Sequence, residues 1–194
     1  MAQTKILVDS NSYFRLAQNI HPLLCQAFGS EEYTLYIHSD LNAEFRCSSR
    51  LLNKFHWVEA QDYIENRRRS IDLGKEQKKQ IDETYGYLWE YVQDEFLARS
   101  GKGPSPIDTR IVATALVVGI AMVTDDRDMI ELADAYEVAH LSSLELMKLM
   151  LDKGHIDGDK VDQVVEQWIY DNDTPHRAWE SEFERIFERE PPQS

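Results

Sequence analysis

Short runs of aliphatic and β-branched residues alternate along this chain with longer stretches of helical periodicity, a pattern that argues for a parallel sheet covered by helices. The expected class is therefore α/β. Lys5-Ile6-Leu7-Val8 reads as a buried strand, followed by a helix over residues 13–28 that is interrupted near Pro22. Thr34-Leu35-Tyr36-Ile37-His38 reads as a second strand, after which Ser39 can cap a helix carrying Glu44, Leu51 and Leu52. Residues 57–99 are polar and helical in pattern with no convincing strand, which predicts a helical insertion at about 55–103.

Gly101, Gly103, Pro104 and Pro106 mark a break. Ile107-Asp108 then opens an apolar helix running from Ile111 through Leu116, with Asp108 in its first turn. Ala121-Met122-Val123-Thr124 is a third strand, residues 129–136 a short helix, and Glu137-Val138-Ala139-His140-Leu141 a fourth strand. Ser142-Ser143-Leu144-Glu145 has the form of a capping box, opening a helix that ends at Gly154. The expected organisation is a domain over residues 1–141, with a helical, acidic C-terminal extension over 142–194 packed on it. In that extension Trp168, Trp179, Phe183 and Phe187 would pack onto the body or onto a second subunit in a homodimer.

A chain of 194 residues, 42% hydrophobic, can enclose one good core. Two cysteines, Cys25 and Cys47, provide neither a disulfide framework nor zinc-finger spacing, which points to a reducing cytoplasm. The six histidines show no ligand spacing. No secretory signal core follows Met1. The longest apolar run, residues 111–123, is broken by Thr114 and falls short of the ~20 residues that span a bilayer, so no membrane association is expected.

The formal charge is −14, which opposes binding to phosphates. Its distribution matters more than its total. Residues 140–194 hold thirteen acidic and six basic side chains, and residues 103–139 hold seven against two. Residues 54–102 hold ten against nine and include Arg67-Arg68-Arg69, Lys75, Lys78 and Lys79. That segment is the one surface suited to phosphate, although a mixed-charge helix also reads as a solvated face. Tyr85, Tyr87, Trp89 and Tyr91 read more simply as packing groups than as base-stacking platforms.

Acidic residues recur at strand ends. Asp9 follows Lys5-Ile6-Leu7-Val8, and Asp125-Asp126 follow Met122-Val123-Thr124. Ligands of open parallel sheets bind at strand carboxyl ends, so these side chains can converge despite their separation in sequence. Asp108 precedes a buried helix, and Glu44 lies in the first turns after the second strand. Four carboxylates in one cleft cannot all stay ionised without a counter-charge. A hard divalent cation supplies one, and an all-oxygen donor set suits Mg²⁺ or Mn²⁺. Each acid also has a plainer reading: Asp9 as a turn residue, Asp108 as a helix cap, Glu44 as a solvated helical side chain, and Asp125 and Asp128 as surface or capping groups.

The strings Ile6-Leu7-Val8-Asp9-Ser10-Asn11, Tyr36 through Glu44, Ile107-Asp108-Thr109-Arg110-Ile111-Val112-Ala113-Thr114-Ala115 and Val123-Thr124-Asp125-Asp126-Arg127-Asp128 resemble those of the PIN-domain nucleases, over roughly residues 5–52 and 104–141. The resemblance implies a three-layer α/β/α sandwich and a metal-dependent nuclease acting on RNA. It implies Asp9, Glu44, Asp108 and Asp126 as Mg²⁺- or Mn²⁺-coordinating carboxylates, Asn11 and Thr124 as polar supports, and Asp128 as an additional acid. Many bacterial members are toxins of VapC type held by an antitoxin, so an antitoxin partner is implied as well. The long insertion between Glu44 and Asp108 and the acidic tail depart from a minimal PIN domain.

Two other functions fit parts of the pattern. A phosphatase of haloacid dehalogenase type also begins with a strand ending in Asp, but it needs an acid two positions later, where this chain has Asn11. A catalytically silent PIN-like module that binds a protein partner would show no metal-dependent turnover.

Overall fold

The computed structural model describes residues 3–39, 54–68 and 70–193. Four strands, β1 (Thr4–Val8), β2 (Tyr33–Ile37), β3 (Ala121–Val123) and β4 (His140–Leu141), form one sheet in the order β2-β1-β3-β4. Every pairing is parallel, with Val8 opposite both Ile37 and Val123. β1 is therefore central and buried on both faces, which explains why its sequence is continuously apolar instead of alternating. Ile6 and Val8 face one core and Leu7 the other. Each such side chain, taken fully out of water, contributes about 1.5–3 kcal/mol.

One core lies under α1 (Ser10–Ala17), α6 (Ser143–Asp152), α7 (Gly158–Tyr170) and α8 (Trp179–Phe187), where Phe14, Met147, Val164, Trp168 and Phe183 meet Val8, Leu35 and Ile37. The opposite core lies under α3 (Lys75–Tyr91), its π-helical continuation Val92–Leu97, α4 (Pro106–Val118) and α5 (Arg127–Ala135). The chain is thus an α/β protein with helices on both faces of a parallel sheet, the class expected from its sequence. A short helix, α2 (Gln61–Arg67), precedes α3.

The segment read as an insertion is part of this architecture: Leu88, Val92 and Phe96 pack with Leu7, Val112 and Met122. Its return toward α4 is tight. A Cβ at Gly103 would stand 2.6 Å from Phe96 Cβ, so only glycine fits there. At the far end of α4, Gly119 takes φ +69° and donates to Ala115 O and Leu116 O, which turns the chain into β3.

Two elements are shorter than expected. α1 ends at Ala17, short of Pro22, and past that proline Asn66 of α2 holds the backbone of Leu24, accepting from its N–H at 3.2 Å and donating to its carbonyl at 2.9 Å. β4 contains two residues instead of five, since Glu137 adopts φ 55° and breaks the extended run. The expected helix carrying Glu44, Leu51 and Leu52 lies outside the described residues, as does Cys47. Among the described residues, no helix is long and apolar enough to cross a membrane.

Candidate active site

The strand order reverses between β1 and β3: the chain moves outward from β1 to β2, then returns across to β3. A crevice outside the carboxyl ends of these two strands is the usual ligand position in such sheets. Asp9 stands at the carboxyl end of β1. Its N–H donates to Val123 O at 3.0 Å, extending the β1–β3 ladder by one bond. Its side chain caps α1, with Oδ1 accepting from Ser12 N at 2.6 Å, and Oδ2 accepts from the Thr124 hydroxyl at 2.7 Å. Asp9 is only 2% exposed, and burial pushes its carboxyl up to about 6, the charge of Asp125 adding to the rise while these hydrogen bonds oppose it.

Thr124 joins two of the acids. The hydroxyl that donates to Asp9 also accepts from Asp126 N at 3.1 Å. Asp126 caps α5, its Oδ1 accepting from Asp128 N at 2.9 Å and Met129 N at 3.0 Å. Asp108 is the third residue of α4 and forms a reciprocal box with Ser105: its Oδ2 accepts from Ser105 N at 2.9 Å, while its own N–H donates to Ser105 Oγ at 3.2 Å. Burial, then the charges of Asp126 and Asp128, raises the Asp108 carboxyl above its ordinary value. Asp108, Asp126 and Asp128 thus share one field, and Asp9 is tied to Asp126 through Thr124.

Capping and ligand roles coexist here. Each carboxylate uses an oxygen on a backbone N–H, which fixes its plane, and each keeps acceptor capacity in reserve: Asp126 on Oδ2, since its Oδ1 already accepts two N–H groups, and Asp9 and Asp108 on the lone pairs their bonds leave unused. The donor chemistry is all oxygen, which fits a hard cation. Among the described residues, however, no three His, Cys, Asp or Glu side chains stand close enough together to hold a metal ion. Glu44 lies outside those residues. Asn11 is exposed in the first turn of α1.

No protein-family model and no curated protein matches the chain. Among solved structures it is similar to a chain in the crystal structure of FitAcB from Neisseria gonorrhoeae, with 19% identity and a TM-score of 0.44, covering 71% of this chain and 97% of that one. At that level of likeness, the functional reading rests on the chemistry of the crevice itself.

Two readings need correction. Asp125 is no surface residue: its side chain is 1% exposed and accepts from Ser143 N at 2.8 Å, Ser143 Oγ at 2.6 Å and Arg15 Nη1 at 3.1 Å. Its partners lie 18 and 110 positions away, so no local signal announces them. Arg67, expected along an RNA path, is 6% exposed and donates to Val58 O at 2.7 Å and to the Tyr13 hydroxyl at 3.5 Å. It braces the core and is withdrawn from phosphate. Arg68 is exposed, and Arg69 lies outside the described residues.

The aromatic residues of α3 take mostly packing roles. Tyr85 stacks near Trp89 and under Arg110, and Tyr91 meets Tyr136 edge-on. Tyr87 is exposed. In the C-terminal helices Trp168, Trp179 and Phe183 are buried against the body, with Phe187 stacked on Phe183.

Proposed function

We propose that the chain is a divalent-cation-dependent endoribonuclease, with Asp9, Asp108 and Asp126, joined by Glu44, holding Mg²⁺ or Mn²⁺. The observation that carries this reading is the Thr124 hydroxyl linking Asp9 to Asp126 at the strand ends, with an Asp108 whose ionisation burial and the charges of Asp126 and Asp128 oppose. Such a pocket is costly to keep ionised without a positive partner. The likeness of the strings around these acids to PIN-domain nucleases supports the same reading.

The residues of the chain supply fixed orientation. Capping bonds hold Asp108 and Asp126, and Ser12 and Thr124 hold Asp9, so each carboxylate is fixed in orientation, and receiving a cation would require the acids to draw closer together. Burial of Asp9 strengthens its attraction for positive charge. A bound cation would neutralise charge developing on the phosphoryl oxygens and acidify a water molecule. Asn11 and Asp128, at the first turns of α1 and α5, are supporting groups, and Arg68 with Arg69 is a candidate contact to RNA. In this reading an antitoxin protein is the natural regulator of such a nuclease.

The test is RNA cleavage by the purified protein with Mg²⁺ or Mn²⁺, and its loss in folded Asp9→Asn and Asp108→Asn variants. Wild-type cleavage by both variants would remove the assignment. Growth arrest on expression alone would support a toxin role, and harmless overproduction of an active enzyme would count against it. A second reading, a catalytically silent protein-binding module, is favoured by the spacing of the described acids, which as they stand do not form a three-ligand cluster. It predicts no turnover with any cation.

A further inference from the structure

Three cavities adjoin along α7, past the end of α1 that lies opposite Asp9. The first, about 290 Å³, lies between residues 19–22 and residues 155–160. The second, about 520 Å³, runs from Asn19 to Tyr170, and the third, about 510 Å³, from Ile169 across α8 to residues 190–193. Asn19 lines the first and second, and Gln193 the second and third, so the three make one long groove. Lys160, Gln163, Gln167 and Tyr170 recur at intervals of three and four, which gives the groove a single face of α7. A groove of this length fits an extended chain better than a compact small molecule.

Tyr170 stands in it 86% exposed, an aromatic ring left in water of the kind that anchors protein interfaces. Asn19 Nδ2 is buried and has no hydrogen-bond acceptor among the described residues, and a peptide carbonyl is the partner it lacks. The third cavity is negative. Glu180 and Glu184 lie one turn apart on α8 and Glu190 follows, and among the described residues none of the three has an ion-pair partner. The nearby arginines are engaged elsewhere, Arg185 with Glu182 at 4.0 Å and Arg189 with Asp162 at 2.5 Å. Like charges four positions apart oppose their own helix, so this end of the groove favours a cationic occupant. The other end carries Lys160, whose Nζ donates to Gln163 Oε1 at 2.7 Å.

We propose that the groove docks an extended segment of a partner protein, which sets two Lys or Arg side chains, two positions apart, over Glu180 and Glu184. The spacing matches. A rise of about 1.5 Å per residue places the two glutamates about 6 Å apart along α8, and alternate residues of an extended chain lie on one side about 6.6 Å apart. Tyr170 covers the middle of the segment, Asn19 takes one of its carbonyls, and Lys160 repels basic groups at the far end, which sets its direction. This surface is separate from the Asp9 crevice and does not depend on the cation reading.

The probe is a short, capped, fluorescent peptide of threonine and glycine with two arginines two positions apart near one end, titrated with the full chain and read by anisotropy. Tyr170→Ala should weaken binding by about 10-fold or more. Glu180→Gln together with Glu184→Gln should weaken it by about 10-fold, and Asn19→Ala by about 3- to 5-fold. Glu76→Gln with Glu90→Gln, on α3 across the sheet, removes the same charge away from the groove and should change affinity by less than about twofold at physiological salt. Equal weakening by the two glutamate pairs would reduce the binding to net charge and overturn the proposal. So would equal binding of a peptide with threonine in place of both arginines. Dimerisation of the chain that Tyr170→Ala abolishes would make a second copy the occupant and overturn it as well. Tyr170 and both glutamates are exposed, so if Asn19→Ala does not fold, those variants decide.

Discussion

The Thr124 hydroxyl donates to the Asp9 carboxylate across 115 positions of sequence, and the same oxygen receives the N–H of Asp126. Thr124→Val keeps the branched shape of the side chain and removes both bonds, leaving buried polar groups without their partner. Its expected cost is about 1–3 kcal/mol, read from the denaturant midpoint, and Thr124→Ser should restore most of it. A valine variant as stable as wild type would mean that the linkage holds nothing together.

Asp9 gives the protein a defined pH response. Its carboxyl is raised from 3.8 to about 6 by burial, so between those values the folded chain holds a proton that the unfolded chain has released. Stability from this group is therefore greatest below 3.8 and is lost as pH rises through about 6. At about 1.4 kcal/mol per tenfold change, the loss in cation-free protein is about 3 kcal/mol. Subtracting the pH profile of Asp9→Asn, which retains a good helix cap, should isolate this slope. Equal profiles for the two proteins would contradict it, and saturating Mn²⁺ should flatten the wild-type slope.

Two glycines should respond to alanine in opposite directions. Gly103 faces Phe96 Cβ at 2.6 Å, so Gly103→Ala must displace the loop leading into α4 and should cost about 1–3 kcal/mol. Gly86, inside α3, has nothing within 4 Å of an added Cβ, and Gly86→Ala should stabilise by about 0.5–1 kcal/mol. Chemical denaturation of the pair under one set of conditions checks both signs.

Phe183 on α8 is fully buried and stacks on Phe187 at 4.5 Å. Phe183→Ala should destabilise the whole chain by about 3–5 kcal/mol in a single transition. A separate early transition would show instead that α8 unfolds by itself.

Much of this fold was legible because its governing information is local. Ile6-Leu7-Val8 and Met122-Val123 are apolar runs with an acid within two positions of their ends, Ser142 and Glu145 spell their own cap, and Ser105 with Asp108 completes another at the head of α4. What escaped was held by distant partners. Nothing near Arg67 distinguishes a side chain that bonds Val58 and Tyr13 from one that meets solvent. Asp125 looks like a turn residue until Arg15 and Ser143 are folded against it. The course of the chain after α1 is held at Leu24 by an amide 42 positions further on.

The three C-terminal helices supply the apolar roof over Val8, Leu35 and Ile37. A shortened chain lacking them would present an uncovered sheet to water, and its behaviour toward RNA would report stickiness and aggregation before it reported charge. Reversing outward-facing glutamates such as Glu180 and Glu184 while leaving Trp168 and Phe183 seated is the way to ask what the negative terminus does.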